Sequence, residues 1–171
     1  MFLSPLQIIE SLALRKGDVV ADFGCGSGAY VFASAKLVGD RGKVLAIDIH
    51  KEILEKINRE AEKMDLININ TILADIEKKI EVESYSCDAV ILSNVLSEVT
   101  EVDKVLEEAK RILKPNGIFL IVDWKETDHN LSLKRHNILK EEYITAILAK
   151  NSIFVKKHFP AGRFHYAFIA M

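Results

Sequence analysis

The sequence predicts a doubly wound α/β fold, and three observations carry that prediction. Short apolar runs alternate with helix-patterned segments along the first two thirds of the chain. The runs VVADF, AVILS and IFLIV are apolar on both faces instead of alternating, as parallel strands covered by helices on both sides are. And the run that starts at Val19 breaks into Gly24, Gly26 and Gly28, a strand end that lets a ligand approach the backbone closely.

The elements follow in order. Ser4 as N-cap and Pro5 in the first turn open a helix over residues 5–14, closed by the turn Arg15, Lys16, Gly17 and Asp18. A strand at Val19–Phe23, a helix at 28–38, a strand at Lys43–Asp48, a helix at 51–64 and a strand at 70–74 come next. A strand at 89–93, a helix at 102–113 and a strand at 118–123 continue the alternation, each bounded by Gly, Pro or Asn. The last third departs from it. After a polar stretch, 125–137, a helix around Glu141–Lys150 precedes two β-rich runs, 153–159 and 163–170, which the turn Pro160, Ala161, Gly162 joins into an antiparallel hairpin. With 171 residues and neither repeat nor linker, one domain over 1–171 is expected, with the helix in 1–17 lying over the site.

Composition excludes several function classes. Cys25 and Cys87 make neither a disulfide framework nor a metal site of ordinary spacing, so a reducing compartment is expected. The N-terminal residues lack the features of a signal peptide and no run approaches the roughly 18 apolar residues of a membrane span, so the expected location is cytoplasmic. A net charge of −2, from 23 basic and 25 acidic residues, argues against a nucleic-acid surface. The short cluster Lys134, Arg135, His136 reads as a solvated loop.

The glycine loop fits two ligands. Gly24 to Ala29 matches the dinucleotide fingerprint G-x-G-x-x-A, which would make this an NAD(P)- or flavin-binding domain. Asp22, two residues before the first glycine, suits a cationic group and disfavours a pyrophosphate. A carboxylate inside an apolar strand is costly unless it has a partner. Asp48 ends the second strand and can bind ribose hydroxyls in either case, whereas Asp75 offers a further acceptor where an adenine amino group would lie. Cys25, inside the loop, reads as a small packing residue.

The motifs VVADFGCGSG, VLAIDIH, ILADI, CDAVILSNVLSEV and RILKPNGIFLIVDW, in this order and spacing, resemble those of class I S-adenosylmethionine-dependent methyltransferases from about Leu12 onward. The similarity is to small-molecule enzymes of the ubiquinone and menaquinone biosynthesis type and to domains related to arsenite methyltransferases. The resemblance implies a Rossmann-like, seven-stranded, mostly parallel sheet with an antiparallel C-terminal hairpin strand. It implies S-adenosylmethionine as cofactor, with S-adenosylhomocysteine as product. Residue by residue, it puts the methionine part over Gly24, Cys25, Gly26 and Gly28 with Asp22 near its ammonium, and the ribose on Asp48. It puts adenine between Ile49 and Ile76 with Asp75 on its amino group, and Asn94 and Val95 near the methionine part and the substrate entrance. One departure bears on the acceptor: where quinone-type relatives often carry a His pair after the fourth strand, this chain has Leu96, Ser97, Glu98 and Val99.

A sulfonium methyl is already electrophilic, so the chain need only hold a small-molecule acceptor in line and exclude water, which requires no triad and no metal. No catalytic residue is assigned. His50, after Asp48, reads as a residue of the adenosine rim or of the solvated surface, whereas His129, His136 and His165, with Tyr166, Asp123 and Trp124, are the side chains near the expected acceptor side. A thin covering of the site implies a monomer with an open pocket or a homodimer that completes it. A module that binds the cofactor without catalysis is the remaining alternative.

Overall fold

The computed structural model describes residues 4–125, 139–159, 161 and 164–171. Among them, α1 (Pro5–Glu10) opens with a capping box: Gln7 N donates to Ser4 Oγ at 3.3 Å while the Gln7 side chain accepts from Ser4 N at 2.9 Å. The helix stops at Glu10, short of the 14 expected. Ala13 adopts a positive φ of 53°, which ends helical geometry, yet Leu12 is buried in that turn, so the apolar spacing runs on past the helix.

The chain then alternates through β1 (Val19–Phe23), α2 (Ala29–Val38), β2 (Lys43–Asp48), α3 (Lys51–Lys63), β3 (Ile69–Leu73), β4 (Cys87–Ser93), α4 (Val102–Ile112), β5 (Leu113–Trp124), α5 (Glu141–Lys150), β6 (Val155–Phe159) and β7 (His165–Ala170). The sheet has seven strands in the order β3-β2-β1-β4-β5-β7-β6. β3, β2, β1, β4 and β5 are parallel, and β7 runs antiparallel to both β5 and β6. The expected doubly wound sheet with its reversed C-terminal strand is therefore present.

Two boundaries differ from expectation for one reason. Cys87 pairs with Leu113, the register then shifts, and Ala89 pairs with Ile118, so β4 and β5 both start earlier and the LKPNG turn is absorbed as an irregularity within β5. Asn116 takes the positive φ of 67° that the irregularity requires. Pro160 and Gly162 of the expected turn, together with His129, Lys134, Arg135 and His136, lie outside the described residues.

Strand alternation divides the core. Val90 and Leu92 of β4 face a cluster built with Val105, Leu106, Ala109 and Ile112 of α4 and Ile144 and Leu148 of α5. Ala89 and Ile91 face the opposite cluster, with Ile8 and Ile9 of α1, Val31 and Ala35 of α2, and Leu54 and Ile57 of α3. Both faces are thus covered, as the two-sided apolar strands require. The winding runs outward from β1 through β2 to β3, then returns to place β4 on β1's other side, which opens a crevice beyond the carboxyl ends of β1 and β4.

Candidate functional site

The glycine loop fills that crevice. Gly24 has φ +70°, and a Cβ there would lie 2.6 Å from Val95 Cγ2, so only glycine allows the loop to pass under the chain leaving β4. Gly26 also has a positive φ, +47°, but a Cβ there would meet nothing nearer than Gly24 O at 3.8 Å; this face of the loop is open. Four of the loop's amides are already committed, that of Gly28 to Cys25 O at 2.9 Å. Gly24 N and Cys25 N both donate to Ile47 O, at 2.9 and 3.0 Å, and Gly26 N donates to Asp48 Oδ2 at 3.1 Å. The end of β1 is thereby laced to the end of β2.

Two cavities meet at this loop. The inner one, about 470 Å³, runs from Asp22, Gly24, Cys25, Gly26 and Ser27 across to Tyr30, Ser93, Val122 and His165, with Pro5 and Ile8 of α1 on its rim. The outer one, about 490 Å³, is lined by Asp48, Ile49, His50, Asp75, Ile76, Glu77, Val95 and Glu98. Gly24 and Asn94 belong to both. The fold therefore gathers Asp22, Gly24, Cys25, Gly26, Asp48, Ile49, Asp75, Ile76, Asn94 and Val95 around one continuous groove. Gly28 stands beneath it as the N-cap of α2, with φ 79°, and faces Phe32 and Ile57.

The acidic residues of the groove differ in state. Asp22, 2 % exposed, has an Oδ2 with no hydrogen-bond partner among the described residues. Burial, and then the charge of Asp48, push its carboxyl up to about 7. Asp48 is also buried, but Oδ2 takes Gly26 N and Oδ1 takes His50 N at 3.0 Å. Asp75 accepts from Glu77 N at 3.0 Å and pairs with Lys78 at 3.0 Å, and these contacts hold its carboxyl below the ordinary range. Burial, reinforced by Asp22 and Asp48, raises the Cys25 thiol far above its usual value, so Cys25 is an inert packing group. Asn94, at a positive φ of 54°, donates its N–H to Val122 O at 2.7 Å and leaves a buried Oδ1 without a partner among the described residues.

The hydrophobic pair is unequal: Ile76 is buried, whereas Ile49 is 59 % exposed at the mouth. His50 lies on the outer rim, 3.9 Å from Glu52, and His165 reaches the inner cavity with its ring 4.1 Å from that of Trp124. Asp123 and Tyr166 do not line either cavity; Asp123 accepts from Ser97 N and Trp124 N beneath the floor.

Sequence reasoning missed Tyr30 and Ser93, which both line the inner cavity although 63 positions of chain separate them, one at the start of α2 and the other at the end of β4. It also missed Glu77, whose carboxylate receives Thr100 N, Thr100 Oγ1 and Glu101 N and so clips the rim of the outer cavity to the turn before α4. No local spacing marks contacts of this range.

Residues 14–157 match the family model described as a methyltransferase domain, which is most of the chain. The chain belongs to the methyltransferase-domain family. The ubiquinone/menaquinone biosynthesis C-methyltransferase of Pseudoalteromonas translucida is 30 % identical over 132 residues, covering 77 % of this chain and 52 % of that protein. An uncharacterized 37.1 kDa protein of a Streptomyces fradiae transposon is 31 % identical over 119 residues, 68 % of this chain and 34 % of its own length. This methyltransferase domain thus spans about half the length of the first relative and a third of the second. Among solved structures, a SAM-dependent methyltransferase from Aquifex aeolicus superposes with a TM-score of 0.87 at 29 % identity, over 98 % of this chain and 88 % of that one.

Proposed function

We propose that this methyltransferase domain, a single domain over residues 1–171, binds S-adenosylmethionine and transfers its methyl group to a small-molecule acceptor. One observation carries the reading. Among the described residues lining the two cavities, five are acidic, Asp22, Asp48, Asp75, Glu77 and Glu98, and none is Lys or Arg. Such a groove favours a ligand with cationic centres, and S-adenosylmethionine has two, an ammonium and a sulfonium.

The residues present fit that ligand. Each Asp48 oxygen accepts one backbone N–H and keeps a lone pair, two acceptors for the two ribose hydroxyls. Asp22, with an unpartnered buried oxygen, stands where an ammonium would complete it. Gly24, Cys25, Gly26 and Gly28 would floor the methionine part, Ile49 and Ile76 would flank adenine, Asp75 would take its amino group, and Asn94 and Val95 would border the junction of the two cavities. When bound, the cofactor supplies a methyl group already activated by positive sulfur. The protein's contribution is then to hold the acceptor in line and keep water out, which is worth roughly 7–11 kcal/mol of barrier. The SAM-dependent enzyme of Aquifex aeolicus and the quinone C-methyltransferases support this reading by similarity.

The dinucleotide alternative fares worse on the same geometry. A pyrophosphate needs free loop amides, and those of Gly24, Cys25 and Gly26 are spent on Ile47 and Asp48. Titration calorimetry with S-adenosylhomocysteine and with NADH separates the two: binding of the first alone is expected, and binding of NADH alone overturns the proposal. Transfer of labelled methyl from S-adenosylmethionine to a small-molecule extract is expected next; tight cofactor binding without transfer to any fraction would mean a binding module. The reading also includes a cytoplasmic protein, monomer or homodimer, without a nucleic-acid partner. A net charge of −2 supports the last point, and none of the described helices is long and apolar enough to cross a membrane.

A further inference from the structure

The lining of the inner cavity reaches beyond the glycine loop to α1, β5 and the residues before β7, and there it differs from the groove in chemistry. Besides Asp22 and the glycine loop, the cavity is lined by the hydroxyl side chains of Tyr30 and Ser93 and by His165, whose ring packs at a tilt against Trp124. Each hydroxyl has one proton and two lone pairs, so Tyr30 and Ser93 can both give and accept hydrogen bonds. Between these polar groups the wall is apolar: Pro5 and Ile8 from α1, Val122 from β5 and Ala161 before β7. His165 is placed there by register, since it pairs with Trp124 across the β5–β7 ladder.

We propose that Tyr30, Ser93 and His165 form the acceptor subsite, and that it takes an uncharged molecule with an apolar body and a hydrogen-bonding heteroatom. The inference rests on the function proposed above, because the cofactor must occupy the glycine floor for this wall to face the transferable methyl. Three points set the class. The apolar rim accommodates a hydrocarbon or aryl body. The Tyr30 and Ser93 hydroxyls, with the His165 imidazole in the same lining, can give or accept hydrogen bonds to one heteroatom. An anionic acceptor is disfavoured, because Asp22 is in the same cavity and no Lys or Arg among the described lining residues would neutralise a carboxylate or phosphate. A cationic acceptor would compete with the cofactor's own ammonium for Asp22.

Tyr30 and His165 are positioning residues in this account: they orient the heteroatom and leave the electrophile untouched. The test uses ligand-observed NMR on protein saturated with S-adenosylhomocysteine, with phenol, toluene and benzoate as probes of matched size. Phenol is expected to bind at least about fivefold more tightly than toluene or benzoate, the effect of one neutral hydrogen bond. Tyr30→Phe is expected to erase phenol's advantage over toluene while S-adenosylhomocysteine affinity, measured by calorimetry on the same sample, stays within about twofold. His165→Asn keeps a hydrogen-bonding side chain and is expected to retain more of the phenol preference than His165→Leu. Benzoate binding as well as phenol, an unchanged preference in Tyr30→Phe, or no saturable phenol binding overturns the subsite. Failure of S-adenosylhomocysteine to bind the wild type instead overturns the proposed function, and this inference with it.

Discussion

Asp22 and Asp48 occupy neighbouring strands, both are buried, and each borders the same groove, yet they are prepared for a ligand in opposite ways. Asp48 meets the groove with its charge already compensated by Gly26 N and His50 N. Asp22 is flanked in the sheet by Ala46 and Ile91, and its Oδ2 finds no hydrogen-bond partner among the described residues. The first is a pre-organised acceptor whose cost is met by the fold. The second is a carboxylate whose ionised form is penalised by burial and by Asp48, so its charge would be favoured by a cationic ligand. Among the described residues near it, Asp48 from β2, Cys25 from the loop and Tyr30 from α2 bring no positive charge, and the described lining of the inner cavity includes His165 but no Lys or Arg.

The largest expected effect breaks this contrast through stability. Asp22 titrates at about 7 in the folded protein against a reference of 3.8. Between those values the unfolded chain has released the proton and the folded one holds it, so stability falls as pH rises and levels off above about 7. The full difference is on the order of 4 kcal/mol. Asp22→Asn removes the penalty, so its melting temperature is expected to match the wild type near pH 4 and exceed it increasingly up to about pH 7, above which the gap holds constant. A gap that stays constant below about pH 7 as well would place Asp22 in the same condition as Asp48. The ligand should act in the opposite sense. If a cationic cofactor selects the ionised carboxylate, its affinity rises about tenfold from pH 6 to pH 8 in the wild type and loses that slope in Asp22→Asn.

Next in size is Asp48→Ala. Two backbone N–H groups lose a charged acceptor and two ribose hydroxyls would lose theirs, so cofactor affinity is expected to drop by roughly 1–3 kcal/mol, up to about 150-fold. The pH slope should survive, because it belongs to Asp22. Calorimetry at two pH values checks both statements together. Equal affinity for the variant would remove Asp48 from the site, and loss of the slope would show that the two carboxylates titrate as one unit.

What could be read from the sequence follows the same division between local and distant causes. β1 and its loop were legible because Gly24, Gly26 and Gly28 and the apolar run before them are contiguous, and the strand-end acids stand at the end of recognisable runs. The end of α1 was not: Leu12 is buried and keeps the helical spacing, so the pattern of burial outlasted the helix that Ala13 terminates. The start of β5 was hidden by a register shift against β4, a property of two strands that neither contains alone. The far wall of the inner cavity was half visible. His165 stood out as a histidine near the hairpin, but Tyr30 and Ser93 were absorbed into an ordinary helix start and strand end, and only the fold brings their hydroxyls together.

Asp75 supplies the smallest expected effect and the sharpest control. It belongs to the same groove as Asp48, but both of its oxygens serve the turn after β3, one held by Glu77 N and the other by Lys78, and the Lys78 pair is solvent-exposed and worth little. An adenine amino group would add one neutral donor to a carboxylate already occupied. Asp75→Ala is therefore expected to weaken cofactor binding only about two- to fivefold. Because Glu77 holds the turn before α4 through Thr100 and Glu101, part of that loss should come from a loosened rim. The two contributions separate with adenosine and inosine as competing ligands: a direct contact discriminates between the amino and keto bases and loses that discrimination in Asp75→Ala, whereas a rim effect weakens both equally. A loss as large as that of Asp48→Ala would mean that committed oxygens can still bind strongly, and the distinction between pre-organised and penalised carboxylates would then not predict affinity in this groove.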